Sequence, residues 1–509
     1  MPNAVIRLQG PFIEISSDGQ TPLPPEVMAE LAKPLIYTYR EFLRGRDAYD
    51  PMTGGREAIR HERRRLFQYD AEGRFCCQRG FLPRIQELLC TLGYTSVVIN
   101  RNPQVKANTF EADWDAVFDT FTLRPGQDEC LAQIDMHDGG IIDAVPAFGK
   151  MWIIAMICKL YPNARIDIVT KRKDVVQSTL RLLTRWCPNV GMIGAGSRRP
   201  GRVTVFTADS LHHSDYKANI VLADEVHELM TDRYASMLGR YWYARMYGFT
   251  ATKETRFDNL HMRMEALFGP TIFHMPYTVA ERHQLVVPII VQWLDVCPSF
   301  DPIANYSDPV AKKRHGYWRH GYRNQIIAEA ARGMVDSGKQ TLILVETLEH
   351  ALHLRRLLPD FVCCYSEQCI PQDTDKRQQL VKAGLLGAEE MMTSARREQL
   401  RQSFEQRECL GAIATGVWSV GVSFDSLQVL IRADGGASET ANLQWPGRVC
   451  RTDAASGKDV GIVVDLCDQF NSGCQRKADG RRRAYAKFGW TQYMPDGSIY
   501  GRRRQRATI

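Results

Sequence analysis

The nine-residue stretch at positions 143–151 constrains the fold of this chain more than any other part of the sequence. It reads DAVPAFGKM and precedes the apolar run WIIAMI. The pattern predicts a turn that ends a strand and opens a helix, with Gly149 and Lys150 at the opening. Backbone N–H groups and the positive end of a helix hold a phosphate chain at such a turn, and a lysine reaches its terminal groups. Ala144 replaces the first glycine of the usual pattern, and Met151 replaces its Ser or Thr, which normally binds the magnesium ion of a nucleotide.

Short β-branched runs separated by helical stretches extend from about residue 120 to 290 and resume near residue 325. This alternation is typical of parallel sheets whose strands are joined by crossover helices. Strands are predicted at 166–170, 203–207, 220–223 and 247–250, and then at 341–345, 361–365, 412–415, 429–431 and 461–464. The predicted fold class is therefore α/β, with two parallel-sheet domains in tandem, joined through residues 291–325.

The pattern of predicted strands and helices in residues 1–115 differs from that of the rest of the chain and predicts a small α+β domain. Strands are predicted at 5–8, 12–15, 65–69 and 95–99, and helices at 25–43 and 84–92. Arginines and aromatic residues recur in this part of the chain. An accessory domain and a DNA-binding domain explain that composition equally well.

The charge distribution and the cysteines of the sequence indicate which partners and which cellular location to expect. The net charge of +7 is too mild to prove a nucleic-acid partner, but four arginines at 60–65 and seven at 481–506 favour a polyanion. The sequence contains no apolar run of about 18 residues, so no membrane span is predicted. The N-terminal residues do not resemble a secretory signal. The 14 cysteines form no CxxC pair, so a reduced cytoplasmic location is expected, in the host cell if a phage encodes the chain.

Carboxylates and hydroxyls follow two of the predicted strands. Asp224 and Glu225 come directly after the strand at 220–223, with His227 beyond them. In such a pair the first carboxylate holds magnesium through water, and the second orients and deprotonates the attacking water. Thr250 and Thr252 follow the next strand, where hydroxyls can sense the state of the acidic pair.

Two further segments carry groups suited to a nucleotide. Gln127, three residues after Arg124, offers an amide that can read an adenine edge. Gln444 precedes Arg448 and Arg451, whose spacing of three predicts that both point the same way from a helix. Two guanidinium groups held in this way can neutralise the charge on a transferring phosphoryl group.

The order of these segments over about 120–470 resembles that of superfamily 2 helicases, which have two RecA-like domains with ATP between them. The resemblance implies a catalytic set of Lys150, Asp224, Glu225, Arg448 and Arg451. It implies that the nucleotide is bound by Arg124, Gln127, Ala147, Phe148, Gly149, Lys150, Met151 and Gly421. Coupling roles are implied for His227, Thr250, Thr252 and Gln444, and nucleic-acid contacts for Thr170, Lys171, Thr207 and Thr415. Asp224 is implied to hold Mg²⁺ through water.

Within the superfamily, the small N-terminal domain ahead of the Arg-Pro-x-Gln segment resembles that of the phage UvsW-type recombination helicases. This resemblance implies an N-terminal DNA-binding domain at 1–115, RecA-like domains at 116–295 and 296–471, and a basic tail at 472–509. It also implies ATP-driven movement on branched or duplex DNA, largely independent of sequence. Recombination or replication proteins are expected as further partners.

Met151 departs from the family pattern and leaves alternatives open. Either magnesium is held by Asp224, water and phosphates alone, with slowed hydrolysis, or the chain binds nucleotide without turning it over well. Because the catalytic set is otherwise intact, a working ATPase is favoured. The alternatives are a weakly hydrolysing nucleic-acid clamp, an RNA helicase, since the motifs do not read the sugar, and a translocating subunit of a restriction complex.

Overall fold

The computed structural model describes residues 2–42, 59–100, 110–171, 173–194, 196–251, 260–366, 374–387, 390, 392–418, 424–436, 439–453 and 456–501. The described residues up to Val145, together with those from Gly149 to Pro276, form a first compact unit. Pro146–Phe148 and the described residues from Tyr277 onward form a second. None of the described helices has the length and apolar character needed to cross a bilayer.

The N-terminal part of the first unit is a small α+β fold. Its elements are β1 (Asn3–Gln9), β2 (Phe12–Ser16), α1 (Pro25–Ala32), β3 (Ile36–Phe42), β4 (Ile59–Arg65), β5 (Phe67–Tyr69), β6 (Phe75–Gln78), α2 (Leu82–Thr91) and β7 (Thr95–Asn100). Five strands form a mixed sheet in the order β5-β6-β2-β1-β7, and β3 pairs with β4 as a separate ribbon. The strands predicted at 5–8, 12–15 and 95–99 and the helix predicted at 84–92 are confirmed.

The helix predicted at 25–43 is wrong beyond Ala32, where α1 ends. Pro34 follows in a short 3₁₀ turn, because proline lacks the N–H that an α-helix would need there. The next residues, at 36–39, are all β-branched or aromatic and suit a strand. They form β3, which pairs with β4 so that Ile36 lies opposite Arg65. The strand predicted at 65–69 is two strands, β4 and β5, that meet at Leu66.

A parallel sheet makes up the rest of the first unit. Its elements are α3 (Trp114–Phe118), α4 (Gln127–Met136), β8 (Gly139–Ala144), α5 (Lys150–Leu160), β9 (Ile166–Thr170), α6 (Lys173–Leu183), β10 (Val190–Gly194), β11 (Ser197–Arg199), β12 (Val203–Thr207), β13 (Ile220–Ala223), α7 (Asp232–Leu238), β14 (Arg245–Thr250), α8 (His261–Phe268) and β15 (Thr271–Met275). The strand order is β11-β10-β12-β9-β13-β14-β8-β15, and β11 runs antiparallel to β10. The four strands predicted in this region are confirmed, whereas β10, β11 and β15 were not predicted.

The N-terminal part packs on this sheet through α8. Arg84 donates from Nε and Nη2 to the Glu265 carboxylate at 2.6 and 2.7 Å, and Glu265 is buried. A Cβ added to Gly80 would overlap the backbone of Glu265. The N-terminal part and the first parallel sheet therefore share a close-packed boundary.

The second unit is built on another parallel sheet. Its elements are α9 (Tyr277–Arg282), β16 (Ile289–Val296), α10 (Pro309–Lys313), α11 (Gly321–Asp336), β17 (Thr341–Leu344), α12 (Leu348–Leu357), β18 (Val362–Cys364), α13 (Thr374–Lys382), α14 (Ser394–Glu405), β19 (Gly411–Ala414), β20 (Val429–Arg432), α15 (Glu439–Gln444), β21 (Gly461–Asp468), α16 (Ser472–Lys487) and β22 (Thr491–Tyr493). The strand order is β18-β19-β17-β20-β21-β16-β22, with every described pair parallel. The five strands predicted here are confirmed, and so is the α/β fold class.

Two parts of the second unit differ from prediction. The segment at 291–325, predicted as a connection, begins within β16, an inner strand of the sheet. The segment from 472, predicted as a basic tail, forms α16 and β22. The buried face of α16 includes Arg481. This charged residue interrupts the apolar periodicity from which a helix would be predicted. The Arg481 guanidinium is compensated by Asp465, whose Oδ2 lies 3.0 Å from its Nε.

The buried Arg481–Asp465 pair leads to a prediction for stability. Arg481→Ala leaves the Asp465 carboxylate uncompensated, and we expect the unfolding free energy of the second unit to fall by about 3–5 kcal/mol. Urea unfolding measures this change. Arg483→Ala is the matched control, since Arg483 is exposed on the same helix and its replacement should cost less than about 0.5 kcal/mol. Equal destabilisation of the two variants would contradict the prediction.

Candidate active site

The carboxyl ends of neighbouring strands bring the predicted site residues of the first unit to one edge of its sheet. The strands β8, β14, β13, β9 and β12 carry these residues at their ends, and each strand of the series pairs in parallel with a neighbour in it. Asp143 lies opposite Thr250, and Ala223 lies opposite Gly248. Ligands of open parallel sheets bind outside this edge.

The loop between β8 and α5 has the shape of a phosphate-binding turn. Ala147 and Gly149 have φ values of 72° and 92°, and Phe148 lies between them. Lys150 is the first residue of α5, and its Nζ donates to the carbonyl oxygen of Ala144 at 3.2 Å. A positive φ at a residue other than glycine is strained and is common where a backbone encloses a ligand. Met151 lies half-buried in the first turn of the helix.

The acidic pair directly follows β13. Asp224 is buried, and its backbone N–H donates to the carbonyl oxygen of Val169 at 2.9 Å. Burial, which is the largest cause, and the charge of Glu225 together raise the pKa of Asp224 to about 7, although Lys150 opposes the shift. Glu225 has a left-handed backbone with φ 46° and ψ 51°. Its buried Oε2 accepts no hydrogen bond within the described residues and lies 3.4 Å from His227 Nδ1.

This crowding of carboxylates fits a magnesium ion carried by a nucleotide. The pKa of Asp224 rises because its carboxylate is desolvated beside another acid, and a divalent cation would reverse the shift. No group of three or more His, Cys, Asp or Glu ligands occurs among the described residues. Mg²⁺ commonly binds one or two carboxylates together with waters and substrate phosphates, and these residues match that mode.

A buried hydrogen bond joins two of the residues expected to couple hydrolysis to movement. His227 Nδ1 lies 3.1 Å from Thr250 Oγ1. A Cβ added to Gly248 on the same strand would come within 3.1 Å of Val226, so the glycine lets the turn that carries His227 pack tightly. Thr252 lies outside the described residues.

The predicted adenine-reading segment lies against the phosphate loop. Gln127 is buried at the start of α4, and its Oε1 accepts the N–H of Arg124 at 3.0 Å. The Gln127 Nε2 would be 2.8 Å from a Cβ added to Gly149. The structure therefore brings the amide and the phosphate loop together, while Arg124 is exposed beside them.

The predicted nucleic-acid contacts of the first unit form a row along the same edge. Thr170 and Thr207 end the paired strands β9 and β12 and lie opposite each other. The Thr207 hydroxyl donates to Ser210 Oγ at 2.8 Å. Lys171, the next residue after β9, is exposed. Thr170 and Thr207 are both buried, so Lys171 is the residue of the three whose side chain is exposed.

The second unit holds the remaining predicted site residues. Thr415 follows β19 and is buried, and its Oγ1 has no hydrogen-bond partner within the described part of the chain. Gln444 ends α15, and Gly421 lies outside the described residues.

The expectation that the two arginines share a helical face is wrong. Arg448 ends the 3₁₀ turn Pro446–Arg448, whereas Arg451 lies beyond it in an isolated β-bridge with Val286. Arg451 Nη1 lies 3.0 Å from Asp425 Oδ1. The cause of the error is Pro446, which begins a new turn after α15, so that a spacing of three residues does not measure one α-helix here.

The basic runs also separate into different environments. On β4, Arg63 and Arg65 are exposed, and the Arg64 guanidinium lies 3.8 Å over the ring of Tyr39. Arg481, by contrast, is buried in the second unit. Burial thus removes Arg481 from the positively charged surface that the sequence predicted.

Sequence reasoning missed an aromatic cluster beside the phosphate loop. Phe121, Trp152 and Trp186 have ring centroids 4.9–6.1 Å apart. They come from three separate segments, so no short-range spacing links them. Trp152 is exposed although most of the helix that carries it is buried, and this feature is apparent only in the structure.

Two curated proteins resemble this chain over most of its length. It is 24% identical over 385 residues to a protein described as probable helicase D10 of Escherichia phage T5, covering 73% of this chain and 76% of that one. It is 22% identical over 396 residues to DNA 3'-5' translocase XPB2 of Sulfurisphaera tokodaii, and the match covers 72% of this chain and 87% of that protein. No protein-family profile matches the chain.

Solved structures also resemble this chain. The crystal structure of T4 UvsW matches 97% of this chain and 99% of its own, with 16% identity and a TM-score of 0.41. The structure of S. cerevisiae Dbp5 bound to RNA and ADP BeF3 matches 77% of this chain and 94% of its own, with 11% identity and a TM-score of 0.51. The two proteins therefore have the same class of fold. The two curated relatives, the two parallel sheets and the ordered motif residues support the resemblance to superfamily 2 helicases with two RecA-like domains.

Proposed function

We propose that this chain is a superfamily 2 helicase that uses ATP hydrolysis to move along DNA and acts on branched or duplex DNA in recombination, repair or replication. The carrying observation is the cluster at one sheet edge: the Lys150 loop, the charge-crowded Asp224 and Glu225, and the His227–Thr250 hydrogen bond. The names of the two curated relatives, a helicase and a DNA translocase, support the same assignment. The domain limit at 115 remains part of the proposal, whereas the limits predicted at 295 and 471 are wrong, because β16, α16 and β22 all belong to the second unit.

The triphosphate of ATP is proposed to lie along the turn at 144–150, with Lys150 at its terminal phosphates. Mg²⁺ bound with the nucleotide would be held by Asp224 through water and would supply positive charge beside the phosphates. Glu225 has a buried oxygen without a hydrogen-bond donor within the described residues. That oxygen is suited to orient the attacking water and accept its proton. Arg448 and Arg451 are proposed to stabilise the charge that develops on the transferring phosphoryl group.

The state of the nucleotide is proposed to pass from the acidic pair to the end of β14. Glu225 Oε2 and Thr250 Oγ1 lie 3.4 and 3.1 Å from the same nitrogen of His227. A change in charge or position at Glu225 therefore alters the partner that His227 prefers. Thr170, Lys171, Thr207 and Thr415 are proposed to hold one strand mainly by its phosphates, without regard to base sequence.

The first prediction for this function concerns the ATPase reaction. Lys150→Ala should lower the hydrolysis rate by about 10²–10³-fold, as expected when a group that stabilises developing charge is removed. Glu225→Gln should lower it by about 10²–10⁴-fold, as expected when a general base is removed, while ADP still binds. Phosphate release with and without DNA measures both effects, and Lys487→Ala, exposed on α16, is the control. Equal rates in all proteins, or no response to DNA, would refute the proposal.

Met151 supports the second candidate function, a clamp that binds nucleotide and hydrolyses it weakly. If the thioether only slows an otherwise complete site, Met151→Thr should raise kcat by about tenfold or more, since one metal-site contact is worth about as much as one oxyanion donor. Steady-state phosphate release measures the change. A variant with no turnover above background would favour the clamp.

The exposed ribbon formed by β3 and β4 provides the prediction for DNA binding. Replacing Arg63 and Arg65 by alanine should weaken duplex binding equally for unrelated sequences and reduce the salt slope by about one unit for each phosphate that is no longer neutralised. Titration of fork, duplex, single-stranded and four-way-junction DNA at several salt concentrations measures this, with matched RNA as competitor. Arg356→Ala is the control, since Arg356 is exposed on α12 and lies outside both arginine runs. An unchanged slope would remove the ribbon from the DNA-binding surface, and preference for RNA would favour an RNA helicase.

A further inference from the structure

The aromatic cluster beside the phosphate loop has an unusual exposure pattern. Trp152 is 40% exposed although it belongs to α5, whose other apolar residues from Ile153 onward are almost all buried. Phe121 meets its ring edge-on at 6.1 Å and 88°, and Trp186 packs at 4.9 Å with a tilt of 52°. Phe121 is itself buried. Two aromatic neighbours therefore restrain the indole of Trp152 while leaving part of it open.

The open indole lies next to the amide predicted to read a purine. A Cβ added to Gly149 would be 2.8 Å from Gln127 Nε2 and 3.8 Å from both Cβ and Cδ1 of Trp152. The Trp152 backbone N–H also donates to the Gly149 carbonyl oxygen at 2.8 Å. One glycine of the phosphate loop thus has the Gln127 amide and the Trp152 side chain within van der Waals reach.

We propose that Trp152 supplies the stacking face for the base of the nucleotide held by the loop. This inference rests on the proposed nucleotide site. Bases gain free energy by stacking on an aromatic ring, and every base has a face that can stack. A ring already restrained by Phe121 and Trp186 gives up little conformational freedom when a base covers it.

The geometry divides recognition between two residues. Gln127 presents hydrogen-bonding atoms and so distinguishes adenine from guanine, whereas Trp152 contacts the face of the ring and does not distinguish them. Removal of the indole should weaken the binding of ATP and GTP by similar factors. Removal of the amide should instead reduce the preference for ATP over GTP.

The test uses ADP, GDP and inorganic triphosphate with the full-length chain, measured by calorimetry. Trp152→Ala should raise the Kd for ADP and for GDP by roughly 5- to 150-fold, the range expected for one stacked base. Its Kd for inorganic triphosphate, which has no base, should stay within about twofold of wild type. Trp152→Phe should retain most of the affinity for ADP. Trp242→Ala is the matched control. Trp242 is half-buried and lies just before the amino-terminal end of β14, whereas the phosphate loop lies at the carboxyl ends of the strands.

The outcomes separate this inference from the proposed function. If wild type binds ADP and Trp152→Ala binds it equally well, the stacking role is refuted and the nucleotide site stands. If Trp152→Ala also fails to bind inorganic triphosphate, the residue shapes the loop and the stacking role is again refuted. If wild type binds neither ADP nor inorganic triphosphate, the proposed function fails and the inference fails with it.

Discussion

The parallel pairing of β8, β14 and β13 is the constraint on which the candidate active site depends. All three strands run in the same direction, so the loop after β8, the hydroxyl that ends β14 and the acids after β13 reach one edge. Gly248 fixes the fit between two of them, because a larger residue would press on Val226 in the turn after Glu225. In this packing, His227 Nδ1 lies 3.1 Å from Thr250 Oγ1.

The charge of the site follows from this packing. Asp224 and Glu225 adjoin each other at a buried strand end, and the Lys150 ammonium opposes the upward shift in the pKa of Asp224 without cancelling it. A carboxyl whose pKa is raised in the folded state costs stability as it ionises, so the cost grows between about pH 4, the unfolded value, and about pH 7. The left-handed backbone of Glu225 adds strain of about 1–3 kcal/mol. A cation brought by the proposed nucleotide would lower the electrostatic part of this cost, and because Met151 has no hydroxyl, Asp224 and Glu225 would supply the negative charge that attracts the cation.

The parts of the fold that could be predicted from the sequence are those where burial leaves a simple pattern. β9, β12 and β13 are buried on both faces, so each appears as a short continuous run of mostly apolar residues between turns. α16 could not be recognised, because its buried face depends on a pair between Arg481 and Asp465 that lie 16 positions apart. The pattern predicts helix at β3 because apolar spacing extends past Pro34, although pairing with β4 determines the structure there.

The residues of the candidate site also differ in how far the sequence could predict their arrangement. The positions of Asp224 and Glu225 could be predicted because they directly follow β13, and that of Thr250 because it ends β14. The stacking of Phe121, Trp152 and Trp186 could not, because it joins three segments through tertiary packing. The relation between Arg448 and Arg451 could not be predicted either, because it depends on the turn that Pro446 introduces.

Burial also decides which basic residues can attract a polyanion. Arg481 is neutralised by Asp465, and Arg482 Nη1 lies 2.8 Å from Asp479 Oδ1, with the guanidinium 4.8 Å from the centre of the Trp293 ring. These two charges support the second unit from within and add little to its long-range field. Arg63 and Arg65 lie exposed on a two-stranded ribbon, where their charges remain available to phosphates. Among the described arginines of the two runs, burial therefore leaves Arg483 exposed in the C-terminal run, whereas Arg63 and Arg65 both stay exposed on the N-terminal ribbon.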